Sequence, residues 1–191
     1  MKNRLSLIVL ISTVFLIAPA FSADYKIDTD GAHASINFKI PHLGYSILVG
    51  RFDKFSGDFS YDDKNPQVSK VDVTIDTTSL NSNHPERDGH LQAEGFLNTK
   101  EFPTATFVSE KFVSDDGKMG SLQGKLTLRG VTKDVEIQFM KIGEGKDPWG
   151  GYRVGFAGST TLTLKDFGIP TDLGASAQEV ELELYIEGIR K

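Results

Sequence analysis

The densest group of side chains that could carry out chemistry lies near the middle of the chain. Residues 83–91 read Asn-His-Pro-Glu-Arg-Asp-Gly-His-Leu and hold two of the four histidines. If the segment is helical, Glu86 and His90 lie four residues apart and share one face. His84 and Asp88 have the same spacing. A carboxylate beside an imidazole is the arrangement of a general acid–base pair.

Three roles for this segment stay open. The simplest is structural, a cap on the end of the fold with Arg87 and Asp88 in ion pairs. A second is contact with the polar end of a ligand, because the Arg87 guanidinium can bind an anionic group through two hydrogen bonds. A third is catalysis or metal binding. His84 and His90 lie six residues apart and point in different directions, unlike the histidines of zinc-binding helices, so we predict no metal site.

Start signals predict that these residues lie on a short helix. Ser82 or Asn83 can act as the N-cap, Pro85 suits the first turn, and Glu86 complements the positive end of the helix dipole. The predicted helix spans residues 85–92, and it is the one helix that we predict.

Most of the remaining chain alternates apolar and polar residues, which is the period of strands with one buried face. The clearest case is 179–187, where Val180, Leu182, Leu184 and Ile186 lie opposite Glu179, Glu181, Glu183, Tyr185 and Glu187. Other predicted strands are 35–40, 50–52 continuing into 56–61, 70–76, 104–113, 119–129, 133–142 and 153–164. About eight strands with short connections predict an all-β antiparallel meander, in one domain over residues 23–191.

Eight strands of this length can close into a barrel with walls roughly 25 Å tall. Glycines inside the predicted strands, such as Gly124 and Gly155, are typical of bends that help a barrel to close. The chain has 13 phenylalanines against one tryptophan and five tyrosines. Because phenylalanine offers a large apolar surface with no polar atom to satisfy, the interior should suit hydrocarbon.

A small outer-membrane barrel is an alternative, since it also alternates with period two but turns its apolar face outward to lipid. Such barrels carry aromatic girdles, whereas the single tryptophan, Trp149, falls in a predicted loop.

The start of the chain has the features of a cleaved secretory signal peptide, residues 1–22. Lys2 and Arg4 precede an apolar run from Leu5 to Ala18, which is shorter than the roughly 20 residues needed to span a bilayer. The predicted cleavage lies between Ser22 and Ala23. We therefore expect a secreted, periplasmic protein that does not span a membrane.

Composition and motifs exclude several classes of function. The chain has no cysteine, so disulfides, thiolate catalysis and cysteine zinc sites are ruled out. Its net charge of −5, without a basic stripe, argues against a nucleic-acid partner. The chain also lacks the nucleophile-elbow, Walker, dinucleotide-binding and zinc-helix motifs. We expect a binding protein that is not an enzyme and has no cofactor.

Several short runs resemble the YceI family of bacterial periplasmic proteins, and together they extend over residues 23–188. They are Ala23-Asp24-Tyr25-Lys26-Ile27-Asp28, His42-Leu43-Gly44-Tyr45-Ser46, Asn83-His84 with Glu86-Arg87-Asp88, Phe96-Leu97-Asn98, Phe102-Pro103 with Ala105 and Phe107, Leu128 with Gly130-Val131-Thr132, Asp147-Pro148-Trp149-Gly150-Gly151, Leu164-Lys165-Asp166-Phe167 and Thr171-Asp172-Leu173-Gly174.

This resemblance implies a lipocalin-like, extended eight-stranded antiparallel barrel, often dimeric, whose tunnel holds a polyisoprenoid or another long amphiphilic lipid. It also implies a link to isoprenoid quinone handling, stress response or lipid transport. The family has no agreed catalytic residues.

We accordingly expect ten apolar residues on the inward strand faces to line a tunnel for an isoprenoid or quinone-like tail: Phe38, Phe52, Phe59, Ile75, Phe107, Leu126, Phe139, Phe156, Leu164 and Leu184. The polar head would lie at one mouth, beside His84, Arg87, Asp88 and His90. The rival hypothesis is an enzyme that modifies the lipid head with His84, Asp88 and His90.

Overall fold

The computed structural model describes residues 22–62, 64–171 and 173–191. Within them the chain forms one α-helix and eleven strands: β1 (Ala23–Ile27), β2 (Ser35–His42), β3 (Ser46–Phe52), β4 (Phe55–Tyr61), β5 (Lys70–Asp76), β6 (Leu80–Asn81), α1 (Pro85–Gln92), β7 (Thr104–Val113), β8 (Met119–Leu128), β9 (Val131–Lys146), β10 (Tyr152–Thr163) and β11 (Glu179–Arg190). The helix has the predicted bounds. The predicted signal peptide lies outside the described residues, apart from Ser22.

Eight of the strands form a closed antiparallel barrel in the order β1-β4-β5-β7-β8-β9-β10-β11. The ring closes where β1 pairs with the end of β11, from Tyr25 opposite Arg190 to Ile27 opposite Gly188. The prediction of an eight-stranded antiparallel barrel is therefore confirmed.

Three further strands extend the wall at one end of this barrel. The first half of β11 pairs with β2, placing Leu182 opposite Phe38. Strand β3 then pairs with β2, and the short β6 pairs with β3. The stretch predicted as 50–52 continuing into 56–61 is consequently two strands, β3 and β4. The chain changes partners between Phe52 and Phe55, because β4 pairs with β1 and β5 instead.

The helix α1 lies at this extended end, but its first turn differs from the prediction. The N-cap is His84, whose Nδ1 accepts a hydrogen bond from the Arg87 amide at 3.3 Å. Asn83 cannot take that place because it has a left-handed backbone, with φ of 61°. Ser82 does not cap the helix either, because its hydroxyl is hydrogen-bonded to the side chains of Arg87 and Asp88.

Glycines in the barrel wall differ sharply in the space around them, which makes a testable pair. A Cβ on Gly124 would overlap the backbone carbonyl oxygen of Val108, whereas a Cβ on Gly155 would meet its nearest neighbour, Ile142, at 3.8 Å. We expect Gly124→Ala to destabilise the protein by about 2 kcal/mol, because the neighbouring strand must move. Gly155→Ala should unfold at the wild-type temperature. Thermal unfolding by circular dichroism distinguishes the two, and equal melting temperatures would contradict the role assigned to Gly124.

Candidate functional site

The apolar faces of the strands enclose two adjoining voids, which together form the candidate site. The inner chamber has a volume of about 130 Å³ and the outer chamber about 460 Å³. Ile36, Ile75, Leu126 and Leu182 line both chambers, so the two voids meet at these four residues, which we call the neck.

Residues from every strand of the closed ring line the inner chamber, and almost all of them are apolar. One end of the barrel is filled with aromatic rings. Phe112 and Phe139 have centroids 4.4 Å apart, and the Phe156 ring lies 5.2 Å from that of Tyr61. Beyond these rings, Lys141 Nζ lies 4.9 Å from the centroid of the Tyr61 ring.

Lys141 forms a partly buried ion pair with Glu144 at this end of the barrel. Its ammonium lies 2.6 Å from Glu144 Oε1, and only 12% of its side chain is exposed. Burial alone would lower the lysine pKa, but the hydrogen bond with Glu144 and the Tyr61 contact leave the pKa of Lys141 raised. The charge is therefore compensated locally, and the chamber above it stays apolar.

The outer chamber lies under α1 and the β2–β3 hairpin, where the wall is extended. Strand residues supply part of its lining, and loops and the helix supply the rest. The predicted strands leave out several apolar lining residues, among them Leu43, Leu48, Leu80, Leu91, Phe96, Leu97, Ile169 and Leu173. Leu91 falls within the predicted helix and the others fall between the predicted strands, where no apolar period indicates which side is buried.

All ten residues predicted to line a tunnel lie on the chamber walls. Phe59, Phe107, Phe139, Phe156 and Leu184 line the inner chamber, Phe38, Phe52 and Leu164 line the outer chamber, and Ile75 and Leu126 line both. The inward face of the strands is therefore the apolar face. Contact of these residues with a ligand remains a prediction.

The four residues predicted at the mouth divide into two pairs. Arg87 and His90 line the outer chamber. His84 caps the helix, and the Asp88 carboxylate accepts hydrogen bonds from the amide and hydroxyl of Ser82, at 2.8 and 2.5 Å.

The ion pairs expected for Arg87 and Asp88 are replaced by contacts with Ser82. Arg87 donates from Nε to the Ser82 hydroxyl at 2.7 Å and from Nη2 to the Ser82 carbonyl at 2.5 Å. Ser82 is buried, with 3% exposed, and directly follows β6, so these hydrogen bonds tie the helix to the end of β6. These contacts fix the guanidinium beside the chamber.

A charged cluster missed by the sequence analysis is centred on Arg153 in β10. Its Nη1 lies 2.5 Å from both Asp28 Oδ2 and Glu187 Oε1, and its Nε lies 2.8 Å from Asp147 Oδ2. Glu187, expected on a solvated face, is therefore held by an ion pair. Hydrogen bonds from Arg153, then from His33 and the Gly31 amide, lower the pKa of the buried Asp28 to about 2.

The same cluster contains a set of groups with metal-ligand chemistry. Ligand atoms of Asp28, His33 and Glu187 lie within 4.8 Å of one another. The Arg153 guanidinium already contacts both carboxylates, so this arrangement is a compensated ion network. Asp147 joins it, and hydrogen bonds from Arg153 and from the Gly151 and Trp149 amides lower its pKa.

Comparison with known proteins adds three matches. The family model of the YceI-like domain matches residues 25–188. A UPF0312 protein of Pseudomonas aeruginosa is 54% identical over 191 residues, covering all of both chains. The crystal structure of a Campylobacter jejuni YCEI protein superposes with a TM-score of 0.72 at 30% identity, covering 80% of this chain and 91% of that one.

A more distant structure has the same fold. It is a polyisoprenoid binding domain from Saccharophagus degradans implicated in plant cell wall breakdown, with a TM-score of 0.65 at 14% identity, covering 90% of this chain and 100% of that domain. Among the described residues, no helix has the length and hydropathy needed to cross a bilayer.

Proposed function

Because this chain belongs to the YceI-like domain family, we propose that it is a binding and carrier protein for a polyisoprenoid, or another long-chain amphiphilic lipid, held inside the barrel. The observation that carries the proposal is the pair of adjoining chambers, whose walls are apolar from the neck into the depth of the ring. Each buried CH₂ group of a tail gains ~0.8 kcal/mol, so tight binding requires no metal, acid or base.

The polarity of the two chambers supports one orientation of the lipid. Polar and ionisable side chains, among them Arg87 and His90, occur in the wall of the outer chamber. The tail would therefore extend through the neck into the inner chamber, with its head beside α1. An isoprenoid quinone fits this arrangement, since its ring carries polar oxygens and its tail is a branched hydrocarbon.

Binding is better supported than either rival. The enzyme hypothesis needs His84, Asp88 and His90 to act together, but Asp88 and His84 are engaged in holding the helix. The outer-membrane hypothesis needs an outward apolar face, whereas β11 turns its glutamate row outward and its Val180, Leu182, Leu184 and Ile186 line the chambers. We place the carrier in the periplasm, because the first 22 residues have the features of a cleaved leader.

Lipid extraction tests the proposal directly. The chain is expressed with its leader, purified without detergent, extracted with organic solvent and examined by mass spectrometry. We expect a long-chain isoprenoid or related amphiphile at a near-stoichiometric ratio to protein. Repeated absence of any bound or exchangeable amphiphile would contradict carriage.

A further inference from the structure

The hairpin formed by β2 and β3 is apolar on both faces near its tip. On the inner side, Ile40, Leu43 and Leu48 line the outer chamber. On the outer side, Ile47 and Val49 are 61% and 55% exposed. A barrel strand that faces water on one side needs only one apolar face.

The tip itself is also apolar and exposed. Leu43 is 61% exposed and Tyr45 is 88% exposed, so four large apolar side chains face solvent within residues 43–49. Leu43 additionally has a left-handed backbone, with φ of 52°, where asparagine or glycine is less strained. Concentrated apolar patches of this kind are frequent at contacts with a membrane or another molecule.

We propose that this hairpin tip docks the protein on a lipid bilayer, so that cargo passes between the bilayer and the outer chamber without crossing water. This inference rests on the proposed function. Leu43 belongs both to the exposed patch and to the chamber wall, which makes the two apolar surfaces continuous. If the lipid tail had to cross water, each exposed CH₂ group would lower the equilibrium constant for that step roughly fourfold.

Insertion of apolar side chains, and not attraction of charges, provides the contact. The cations of the hairpin are already paired, Lys39 with Glu183 at 2.5 Å and Arg51 with Asp53 at 2.6 Å. The chain as a whole is acidic, with a net charge of −5. Tyr45 suits the level of the lipid head groups, where tyrosine is enriched. Docking should therefore occur on uncharged bilayers.

A second exposed apolar group lies at the closed end of the barrel and supplies the control. It consists of Val113, Met119, Met140 and Ile142, none of which lines either chamber. Ile142 is 64% exposed, nearly the same as Ile47. Replacing either isoleucine by aspartate therefore changes a matched surface position at opposite ends of the molecule.

The test is flotation with vesicles of phosphatidylcholine and phosphatidylethanolamine on a density gradient. We expect wild-type protein to float, Ile47→Asp to partition about tenfold more weakly, and Ile142→Asp to match the wild type. Leu43→Asn, a residue suited to the left-handed backbone, should also weaken flotation while keeping the fold. Binding of a fluorescent polyprenol added without a bilayer is measured in parallel and should be unchanged in Ile47→Asp and Ile142→Asp, because neither isoleucine lines a chamber.

The two readouts separate the two proposals. Wild-type protein that binds polyprenol but does not float, or floats equally with Ile47→Asp, overturns bilayer docking and leaves carriage intact. Wild-type protein that fails to bind polyprenol overturns the proposed function. If light scattering shows that Ile47→Asp converts a dimer into a monomer without changing flotation, the hairpin pairs two copies and bilayer docking is wrong.

Discussion

Leu126→Trp should reduce the lipid recovered from the purified protein at least tenfold. Leu126 is buried, with 7% exposed, and lies in the neck that joins the two chambers. An indole at this point would fill the passage and keep a tail out of the inner chamber. Loss of about two buried CH₂ groups is already enough for a tenfold change in affinity. The measurement is the molar ratio of extracted lipid to protein.

Two further substitutions separate blockage from general damage. Val108→Trp places the same ring on the outer surface of the adjacent strand, where Val108 is 47% exposed, and should leave the lipid ratio unchanged. Leu126→Met nearly conserves volume and should retain lipid. If Leu126→Trp is folded by circular dichroism and still holds the wild-type amount, the chambers are not the binding site.

The inner wall could be predicted because one face of each strand must avoid water. The alternation of apolar and polar residues identifies that face. Phe139 in β9 and Leu184 in β11 follow from period two alone, and both line the inner chamber. Period two does not reveal which strand a segment pairs with. The division between β3 and β4 depends on that choice of partner, so it could not be predicted.

The outer chamber was less predictable, because much of its lining comes from outside the strands. Phe96 and Leu97 lie in a turn after α1, where no period indicates which side is buried. The importance of Ser82 was also hidden. A serine two residues before a helix N-cap predicts nothing about burial, and only the fold brings it against Arg87 and Asp88.

The Arg153 cluster was unpredictable for a further reason, the sequence distance between its members. Asp28 and Arg153 are 125 residues apart and meet because β1 and β10 both flank the end of β11. In the sequence, Glu187 reads as one more glutamate of a wet strand face. The closed topology of the barrel turns it into part of an ion network.

Arg153→Met should be the most destabilising of these substitutions, lowering the free energy of unfolding by about 3–5 kcal/mol. The change leaves three carboxylates near one another, and those of Asp28 and Asp147 are only 4% and 6% exposed. Chemical denaturation at neutral pH provides the measurement. Arg51→Met is the matched control, because Arg51 pairs with Asp53 in an exposed bridge and should contribute less than about 1 kcal/mol. Equal losses in the two variants would contradict the network's role.

Replacing the buried Asp28 should then recover part of that lost stability. The pH dependence of the stability difference identifies Asp28 as the group responsible. Arg153→Met combined with Asp28→Asn should be more stable than Arg153→Met alone, because position 28 no longer buries a carboxylate that has lost its guanidinium partner. In the wild-type background, Asp28→Asn should cost about 2 kcal/mol at neutral pH. The native pKa of Asp28 is about 2, below its ordinary value of 3.8, so the wild-type advantage is complete above pH 4 and disappears as the pH falls through 2. A difference between wild type and Asp28→Asn that stays constant from pH 5 to about 2 would mean that the Asp28 charge does not stabilise the barrel.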